Sequence, residues 1–528
     1  MIFDRRWLAL AALVILPLYL WAGLGNRDVW APDEPRYALV AREMQERGNY
    51  ALPTVNGEPY AHKPPLLFWL MTASSRLTGA GAADPFSARL PSALAGVGTL
   101  CVTSALGARL FGPGVAALAP LVLATAHMFC WEAHAAQMDC LLTFWIALGL
   151  LCLVAWREEG RARHAYGFAL ACGLATLTKG PVGFVIPWAV AWLWARDKGD
   201  VACARGLFRP ACLAVFAGPV LAWLAAATAY GGQEYVEQLL GRHVVERYLN
   251  SWHHVKPFWF YLADLPLEWL PWTLALPATL AYAHGARRER GVRFVAVWVL
   301  FMLAFFSFPK GKRGLYMLPA LPPLALLTAA ALDAAARGAE RVRRLALVGL
   351  VATPALFLVL LNLLGSEALG QRAVAIDVTA VKVAVGLALA TTACAYGVCT
   401  VPAVVRATVL STALVFLAGY ASVLGQLDVH KSPRAFCAKA ASLRRPGEAL
   451  GYYGVYLEAY GLFTGERMLL GEQAMDFLPH LNERASILAF MQSERMKDLT
   501  CLPWLKLDVL VEDRVGDKFM VIARVSER

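Results

Sequence analysis

Charged residues are scarce in this chain. Asp, Glu, Lys and Arg make up 16% of its 528 residues, whereas soluble domains average about 25%. Hydrophobic residues account for 59%, the mean hydropathy is +0.51, and the apolar residues fall in long runs. A surface with so little charge excludes an ordinary soluble domain. The composition predicts a polytopic membrane protein.

Signatures of several other protein classes are also missing. No CxxC pair occurs among the eleven cysteines, which argues against a zinc–thiolate site, and no HExxH motif is present. Most cysteines lie in apolar runs, where cysteine behaves as a small hydrophobe. The net charge of +11 does not indicate nucleic-acid binding, because no basic module with interleaved aromatics occurs. Basic residues gather in the cytoplasmic loops of membrane proteins.

The apolar runs predict thirteen membrane spans. Their approximate limits are 7–25, 86–108, 113–130, 138–156, 165–178, 181–195, 208–229, 257–283, 293–308, 315–333, 345–364, 379–399 and 404–424. The two short spans around the turn "TKGP" are expected to form a hairpin of tilted or partial spans. The first span follows two arginines and no small-residue cleavage site follows it, so we interpret it as an uncleaved anchor.

The loops predict how the chain is oriented. Four basic loops fall on one side if the spans alternate from a cytoplasmic N-terminus, as the positive-inside tendency requires. The opposite side receives 26–85, the turn at Lys179, the loop 231–256, the loop "FPKGKRG" and the tail. In the tail, "LDVLVEDR" and "KFMVIARV" alternate like strands. We therefore predict a transmembrane domain over 1–425 and a small α/β domain outside the membrane over 426–528, with no internal repeat.

The stretch "WAPDEPRYALVAREM" places unusual charge after the first span. One interpretation is structural: Asp33 is the N-cap of a helix, Glu34 favours its dipole and Arg36 snorkels. Apolar residues then repeat at i, i+3, i+4 and i+7, which predicts an amphipathic helix lying on the membrane surface; they are Tyr37, Val40, Ala41 and Met44. The other interpretation is that the two acids belong to a functional site.

Further polar residues flank other predicted spans. In "AHKPPLLFWL", Lys63 is either an interfacial anchor or a point charge for a phosphate. Asp139 stands at the outer end of a span, where a carboxylate costs up to ~2.5–3.5 kcal/mol at full depth. It is therefore a functional candidate, the alternative being a cap or the partner of an arginine. Lys179 stands in the turn between the two short spans.

Two predicted outer loops are strongly basic. The loop "GRHVVERYLNSWHHVKPFWFYL" is rich in arginine and histidine, and a structural role for its histidines competes with metal binding. In "FFSFPKGKRGLYMLPALPP", Lys310, Lys312 and Arg313 precede Tyr316. Acids, cations and a tyrosine thus gather on one predicted face of the membrane. A cationic pocket there suits an anionic lipid head group, and carboxylates beside it suit sugar or metal chemistry.

Taken together, these motifs resemble those of the bacterial lipid A aminoarabinose transferases (ArnT). More broadly, they resemble the polyprenyl-phosphate-dependent GT-C glycosyltransferases, which include the protein O-mannosyltransferases. The resemblance runs in order from about residue 5 to 330. It implies a GT-C fold with about thirteen transmembrane helices, outer-face juxtamembrane helices and a periplasmic C-terminal α/β domain. It also implies a bacterial inner-membrane location.

The resemblance further implies a reaction. A sugar would move from undecaprenyl phosphate to a phosphate of lipid A on the periplasmic face. The resemblance to the aminoarabinose transferases implies that this sugar is 4-amino-4-deoxy-L-arabinose. No nucleotide is needed, because the lipid phosphate is the leaving group. Transfer to a protein or another glycan is the alternative. A flippase for lipid-linked sugars fits less well, because transporters carry polar residues at mid-membrane and often internal repeats.

Carried over residue by residue, the resemblance assigns roles. Asp33 would be the principal catalytic acid and Asp139 its partner, while Lys63, Arg247 and Tyr316 would hold the donor phosphate. The lower-ranked pocket residues would be Glu34, Arg36, Tyr37, His62, Lys179, Arg242, His243 and Lys310. No cofactor is firmly implied. A divalent metal, if one binds, would use His62 and His243, although His62 stands where some family members have an acid.

Overall fold

The computed structural model describes residues 5–197, 205–239, 255–365, 376–454, 456–483, 486–516 and 518–528. The chain divides into two compact units. The helical unit comprises the chain up to Leu24, Ala61–Leu70 and Arg89–Leu424, and the mixed unit comprises Gly25–Tyr60, Met71–Ala88 and Gly425–Arg528. The predicted domain boundary at 425/426 stays a prediction.

Helices dominate the fold. In chain order they are α1 (Arg5–Leu20), α2 (Asp33–Arg47), α3 (Leu66–Thr78), α4 (Pro85–Leu110), α5 (Pro113–Ala124), α6 (His127–Ala133), α7 (Met138–Glu159), α8 (Ala162–Lys179), α9 (Val182–Asp197), α10 (Pro210–Glu237), α11 (Phe260–Glu268), α12 (Leu276–Gly285), α13 (Arg290–Ser307), α14 (Leu321–Ala336), α15 (Glu340–Leu350), α16 (Thr353–Gly365), α17 (Thr379–Val398), α18 (Val401–Ser422), α19 (Asp428–Lys431), α20 (Arg434–Leu443), α21 (Glu458–Thr464), α22 (Leu478–Glu483) and α23 (Met496–Thr500). Short 3₁₀ helices precede α12 and α14, at Trp272–Ala275 and Gly314–Ala320.

The described residues contain fewer candidate membrane spans than the thirteen predicted. Within the described residues, eight helical stretches are long and apolar enough to cross a membrane, or nine if the bent pair α5–α6 is one span. The protein is therefore a multi-pass membrane protein, but thirteen spans are not confirmed. The predicted span 257–283 is wrong as a continuous helix, because it breaks into α11, a 3₁₀ turn and α12. Pro271 and Pro277 fall at these breaks, where proline lacks an N–H to continue the helix. The predicted span 113–130 bends by 69° between α5 and α6.

The hairpin predicted around "TKGP" is confirmed. Lys179 ends α8, Gly180 follows with φ of 83°, and α9 begins at Val182. The two helices approach closely at Gly183, where a built Cβ would lie 2.2 Å from the backbone carbon of Ala175. Only a glycine fits this contact, since the obstacle is backbone and cannot rotate away. The contact therefore fixes where Lys179 emerges from the hairpin.

The mixed unit is built on a five-stranded sheet with strand order β4-β3-β5-β7-β6. Besides the short hairpin β1 (Thr54–Val55) and β2 (Glu58–Pro59), the strands are β3 (Ala449–Tyr453), β4 (Leu469–Gly471), β5 (Ile487–Gln492), β6 (Leu505–Val515) and β7 (Lys518–Glu527). Strands β4, β3 and β5 are parallel, whereas β7 is antiparallel to β5 and β6. The strands predicted in "LDVLVEDR" and "KFMVIARV" are therefore present as β6 and β7. Both faces of the sheet are covered by apolar side chains.

The amphipathic helix α2 differs from its prediction in two ways. It begins at Asp33, with Pro32 in the N-cap position and no side-chain capping hydrogen bond, so the N-cap role predicted for Asp33 is wrong. Its apolar face is also buried in the protein and does not lie on lipid. The residues of that face are Tyr37, Val40, Ala41 and Met44. The protein core, and not the bilayer, therefore stabilises this helix.

We expect Gly183→Ala to destabilise the protein by at least about 1–3 kcal/mol, the usual cost of overpacking, because the new methyl group meets the backbone of α8. Thermal unfolding of the purified protein in detergent measures the effect. Gly386→Ala in α17 is the matched control, since a Cβ there meets nothing within 4 Å. An unchanged melting temperature in Gly183→Ala would contradict the packing described for the hairpin.

Candidate active site

Asp33 lies at the start of α2 beside Arg36. Its side chain is buried, and Arg36 Nη1 lies 3.7 Å from Asp33 Oδ1. The Nε of Arg36 donates a hydrogen bond of 2.5 Å to Oε1 of Glu458, the first residue of α21. Burial opposes the charge of Arg36, but the hydrogen bond and the charge of Glu458 raise its pKa above the usual value. The Arg36 guanidinium thus lies near Asp33 and is hydrogen-bonded to Glu458, an acid that the motifs did not single out.

Glu34 has a structural environment. Arg27 donates from Nη1 and Nη2 to the two carboxylate oxygens of Glu34, at 2.8 and 3.2 Å. The backbone N–H of Trp30 donates to the same carboxylate at 2.9 Å. Both side chains of the ion pair are buried. Glu34 therefore holds the loop that leads into α2, and its predicted place in the pocket stays a prediction.

A second acid secures the same loop. Asp428 accepts hydrogen bonds from the backbone N–H of Asp28 at 2.8 Å and from Nε1 of Trp30 at 2.7 Å. Asp28 in turn accepts from the Ser432 hydroxyl at 2.7 Å and pairs with Arg434 at 2.6 Å. Burial raises the pKa of Asp428, although these hydrogen bonds oppose the shift. The loop before Asp33 is thus fixed by residues that lie 400 positions later in the chain.

In the helical unit, three predicted site residues come together. Asp139 lies in the first turn of α7 and is buried, and Nζ of Lys179, the last residue of α8, donates to its Oδ1. The same Nζ lies 4.8 Å from the centre of the Tyr316 ring. We refer to Asp139, Lys179 and Tyr316 as the Asp139 cluster. The partner of Asp139 is a lysine and not the arginine considered from the sequence.

The 3₁₀ turn that carries Tyr316 is braced by its surroundings. The Tyr261 hydroxyl donates to the carbonyl oxygen of Arg313 at 3.2 Å, and the Phe306 ring lies 5.5 Å from the Tyr316 ring. Lys312 is buried and donates to the backbone carbonyls of Lys256 and Pro309. These contacts hold the loop before Tyr316 in place.

The remaining predicted site residues are not part of the Asp139 cluster or of the contacts described around Asp33. His62 is exposed, Lys63 is half-buried and both precede α3 in the helical unit. The Lys310 side chain is exposed, while its carbonyl oxygen accepts from the N–H of Lys256 at 3.0 Å. Tyr37 is buried in the apolar face of α2. Arg242, His243 and Arg247 lie outside the described residues, so their predicted roles stay predictions.

No metal site is visible in the part of the chain that the structure describes. No group of three or more His, Cys, Asp or Glu side chains there is close enough to hold an ion. The ligand pair predicted from the sequence, His62 and His243, includes a histidine outside the described ranges. A metal at that pair therefore stays a prediction.

Sequence reasoning missed the partners of the first outer segment. Arg27, Asp428 and Glu458 pair with residues of that segment, and the last two lie in the tail, which carries no recognised motif. The Arg36–Glu458 contact joins residues 422 positions apart. No local spacing encodes such a pair. A statistical signal for it requires many related sequences in which the two positions vary together.

Comparison with known proteins first defines the class of fold. The solved structure of ArnT from Cupriavidus metallidurans bound to undecaprenyl phosphate superposes with a TM-score of 0.79 at 21% identity, covering 99% of this chain and 98% of that one. The Archaeoglobus fulgidus oligosaccharyltransferase AglB, in complex with an inhibitory peptide and a dolichol-phosphate, has a TM-score of 0.53 at 13% identity. It covers 93% of this chain and 69% of that one. The chain therefore has the predicted GT-C fold.

The sequence comparisons point to a particular group within that class. Two relatives named undecaprenyl phosphate-α-4-amino-4-deoxy-L-arabinose arabinosyl transferase, from Pseudomonas aeruginosa LESB58 and Pseudomonas fluorescens Pf0-1, are each 32% identical over 62% and 66% of this chain. The matches span about three fifths of these relatives' length, at 60% and 63%. A family model described as dolichyl-phosphate-mannose-protein mannosyltransferase matches residues 6–197. The resemblance inferred from the motifs is thereby confirmed.

We expect Lys179→Met to destabilise the protein by about 3–5 kcal/mol, since it leaves the buried Asp139 carboxylate without its partner. Adding Asp139→Asn should recover most of that loss. Thermal unfolding in detergent of the single and double variants measures both effects. Arg344→Ala is the control, because its pair with Glu340 is exposed and such pairs contribute at most about 1 kcal/mol. A double variant as unstable as Lys179→Met would contradict the pairing.

Proposed function

We propose that the protein is a glycosyltransferase that moves 4-amino-4-deoxy-L-arabinose from undecaprenyl phosphate to a phosphate of lipid A. The reaction would take place on the periplasmic face of the bacterial inner membrane, with the sheet of the mixed unit as part of a periplasmic α/β domain. The observation that carries the proposal is the Asp139 cluster, in which residues predicted from three separate motifs meet. The similarity to named arabinosyl transferases supports it.

In this reaction, the bond between the sugar C1 and the oxygen of undecaprenyl phosphate breaks, and C1 forms a bond to an oxygen of the acceptor phosphate. The leaving phosphate gains negative charge, which cations can stabilise if they are already in place. Lys63, Arg247 and Tyr316 are the residues we propose for this role. The Lys179 ammonium, close to the Tyr316 ring, adds positive potential near one of them.

The two acids would have different tasks. A phosphate acceptor is already ionised and needs almost no general base, so Asp33 would stabilise charge that develops on the sugar in the transition state. Asp139 is paired with Lys179, and its carboxylate would orient the sugar through its hydroxyl or amino groups. A divalent metal at His62 and His243 remains a separate proposal, and loss of transfer on adding a chelator would support it.

One observation favours a second candidate function. The matching family model over residues 6–197 is named for a protein mannosyltransferase. A protein hydroxyl, unlike a phosphate, must lose a proton during transfer, and Asp33 would then act as the general base. The two functions share the donor class and differ in the acceptor.

Mass spectrometry of lipid A from cells with and without the gene decides between these functions. We expect lipid A to gain the mass of one amino-pentose only when the gene is present. A sugar gained by proteins with lipid A unchanged would redirect the assignment to the second function. No change in lipid A, proteins or other glycans would overturn both.

We expect Asp33→Asn to lower the transfer rate by at least about 10²-fold, the lower end for removing one group that stabilises transition-state charge, with little change in protein level. The measurement is single-turnover transfer by purified protein. Asp513→Asn is the control, since it removes an exposed carboxylate of the same unit. Wild-type turnover in Asp33→Asn would exclude Asp33 from the chemistry.

We expect Lys63→Ala to raise the KM for the lipid donor about tenfold or more, because one charged hydrogen bond contributes about 1.5–3 kcal/mol. Initial rates across a range of donor concentrations measure the change. Lys382→Ala, which removes an exposed lysine of α17, should leave the KM unaltered. An unchanged KM in Lys63→Ala would remove this residue from the donor phosphate site.

A further inference from the structure

Arg36 interacts with two acids on unequal terms. Its Nε lies 2.5 Å from Glu458, whereas its Nη1 lies 3.7 Å from Asp33. Hydrogen bonds between a guanidinium and a carboxylate are about 2.7–2.9 Å long. Arg36 is therefore bonded to Glu458 and stands beyond hydrogen-bond distance of Asp33.

The local helix geometry alone would favour a bond from Arg36 to Asp33 over a bond to Glu458. Asp33 and Arg36 are three residues apart on the first turn of α2, a spacing at which helical side chains of opposite charge meet. Glu458 competes from a distant part of the sequence and is itself only 13% exposed. Because little water screens it, its attraction for Arg36 is stronger than that of a surface carboxylate.

The topology of the sheet explains how Glu458 reaches this position. From β3 the chain moves to β4 on one side, and from β5 it moves towards β6 and β7 on the other. The carboxyl ends of β3 and β5 therefore form a topological switch point, where α/β sheets place their functional groups. Glu458 begins the helix that leaves the end of β3, and the Tyr456 ring packs 5.6 Å from the Tyr452 ring of that strand.

We propose that Glu458 is a positioning residue that holds Arg36 away from Asp33. This inference rests on the proposed function, because it assumes that the Asp33 carboxylate takes part in sugar transfer. Without Glu458, Arg36 would turn further towards Asp33 and shorten the present 3.7 Å ion pair to hydrogen-bond distance. A hydrogen-bonded guanidinium would then compete with the sugar for the Asp33 carboxylate.

Rescue kinetics test this role. We expect Glu458→Gln to lower kcat about tenfold, the rate equivalent of one interaction of ~1.4 kcal/mol, while the KM for the donor changes by less than about twofold. Adding Arg36→Gln to that variant should restore most of kcat, because the competing cation is then gone. Glu466→Gln is the control, since Glu466 pairs with Arg444 at the same distance of 2.5 Å in the same unit.

Two results would overturn the proposal: an unchanged kcat in Glu458→Gln, or a double variant that is as slow as Glu458→Gln alone. The second result would mean that Glu458 does not act on turnover through Arg36. If Glu458 had a purely structural role, adding Arg36→Gln to Glu458→Gln would not be expected to raise kcat.

A structure of the Glu458→Gln variant supplies a test that needs no substrate. We expect the Arg36 guanidinium within about 3 Å of an Asp33 oxygen, which is hydrogen-bond distance. An Arg36 that keeps its wild-type position would overturn the proposal. Wild-type protein without transferase activity would count against the proposed function alone, since the position of Arg36 can be read independently of activity.

Discussion

A buried charge requires a partner of opposite sign, and this constraint organises both units of the protein. In the helical unit, Asp139 is buried at the start of a span and pairs with Lys179. In the mixed unit, Arg27 pairs with Glu34 and Arg36 with Glu458. Because an unpaired buried charge is costly, each pair fixes the two segments that supply it. Asp139 and the loop that leads into Asp33 are held by such pairs.

Contacts of this kind also order the loops that carry the candidate catalytic residues. Glu34 is engaged on both carboxylate oxygens by Arg27 and by the Trp30 backbone, and these contacts order the loop that leads to Asp33. Tyr316 sits on a loop braced through Tyr261. Such prior ordering matters for catalysis, because groups that are already in place need no reorganisation when charge develops in the transition state.

The sequence motifs predicted correctly those features that depend on residues close together in the chain. The α8–α9 hairpin, strands β6 and β7, and the membrane character all follow from local patterns. The motifs failed where tertiary contacts decide: α2 is buried in protein instead of lying on lipid, and the span predicted over 257–283 is broken near its prolines. Glu458 could not be found at all, since its partner lies 422 residues away and no motif surrounds it.

Sugar transfer from a polyprenyl phosphate can be measured with purified protein reconstituted in liposomes. The liposomes would contain undecaprenyl phosphate carrying labelled aminoarabinose, together with lipid A. We expect label to move covalently to lipid A and undecaprenyl phosphate to be released in equal amount. Label that stays on the polyprenyl phosphate would exclude sugar transfer, and labelled lipid that also crosses the bilayer would indicate a transporter.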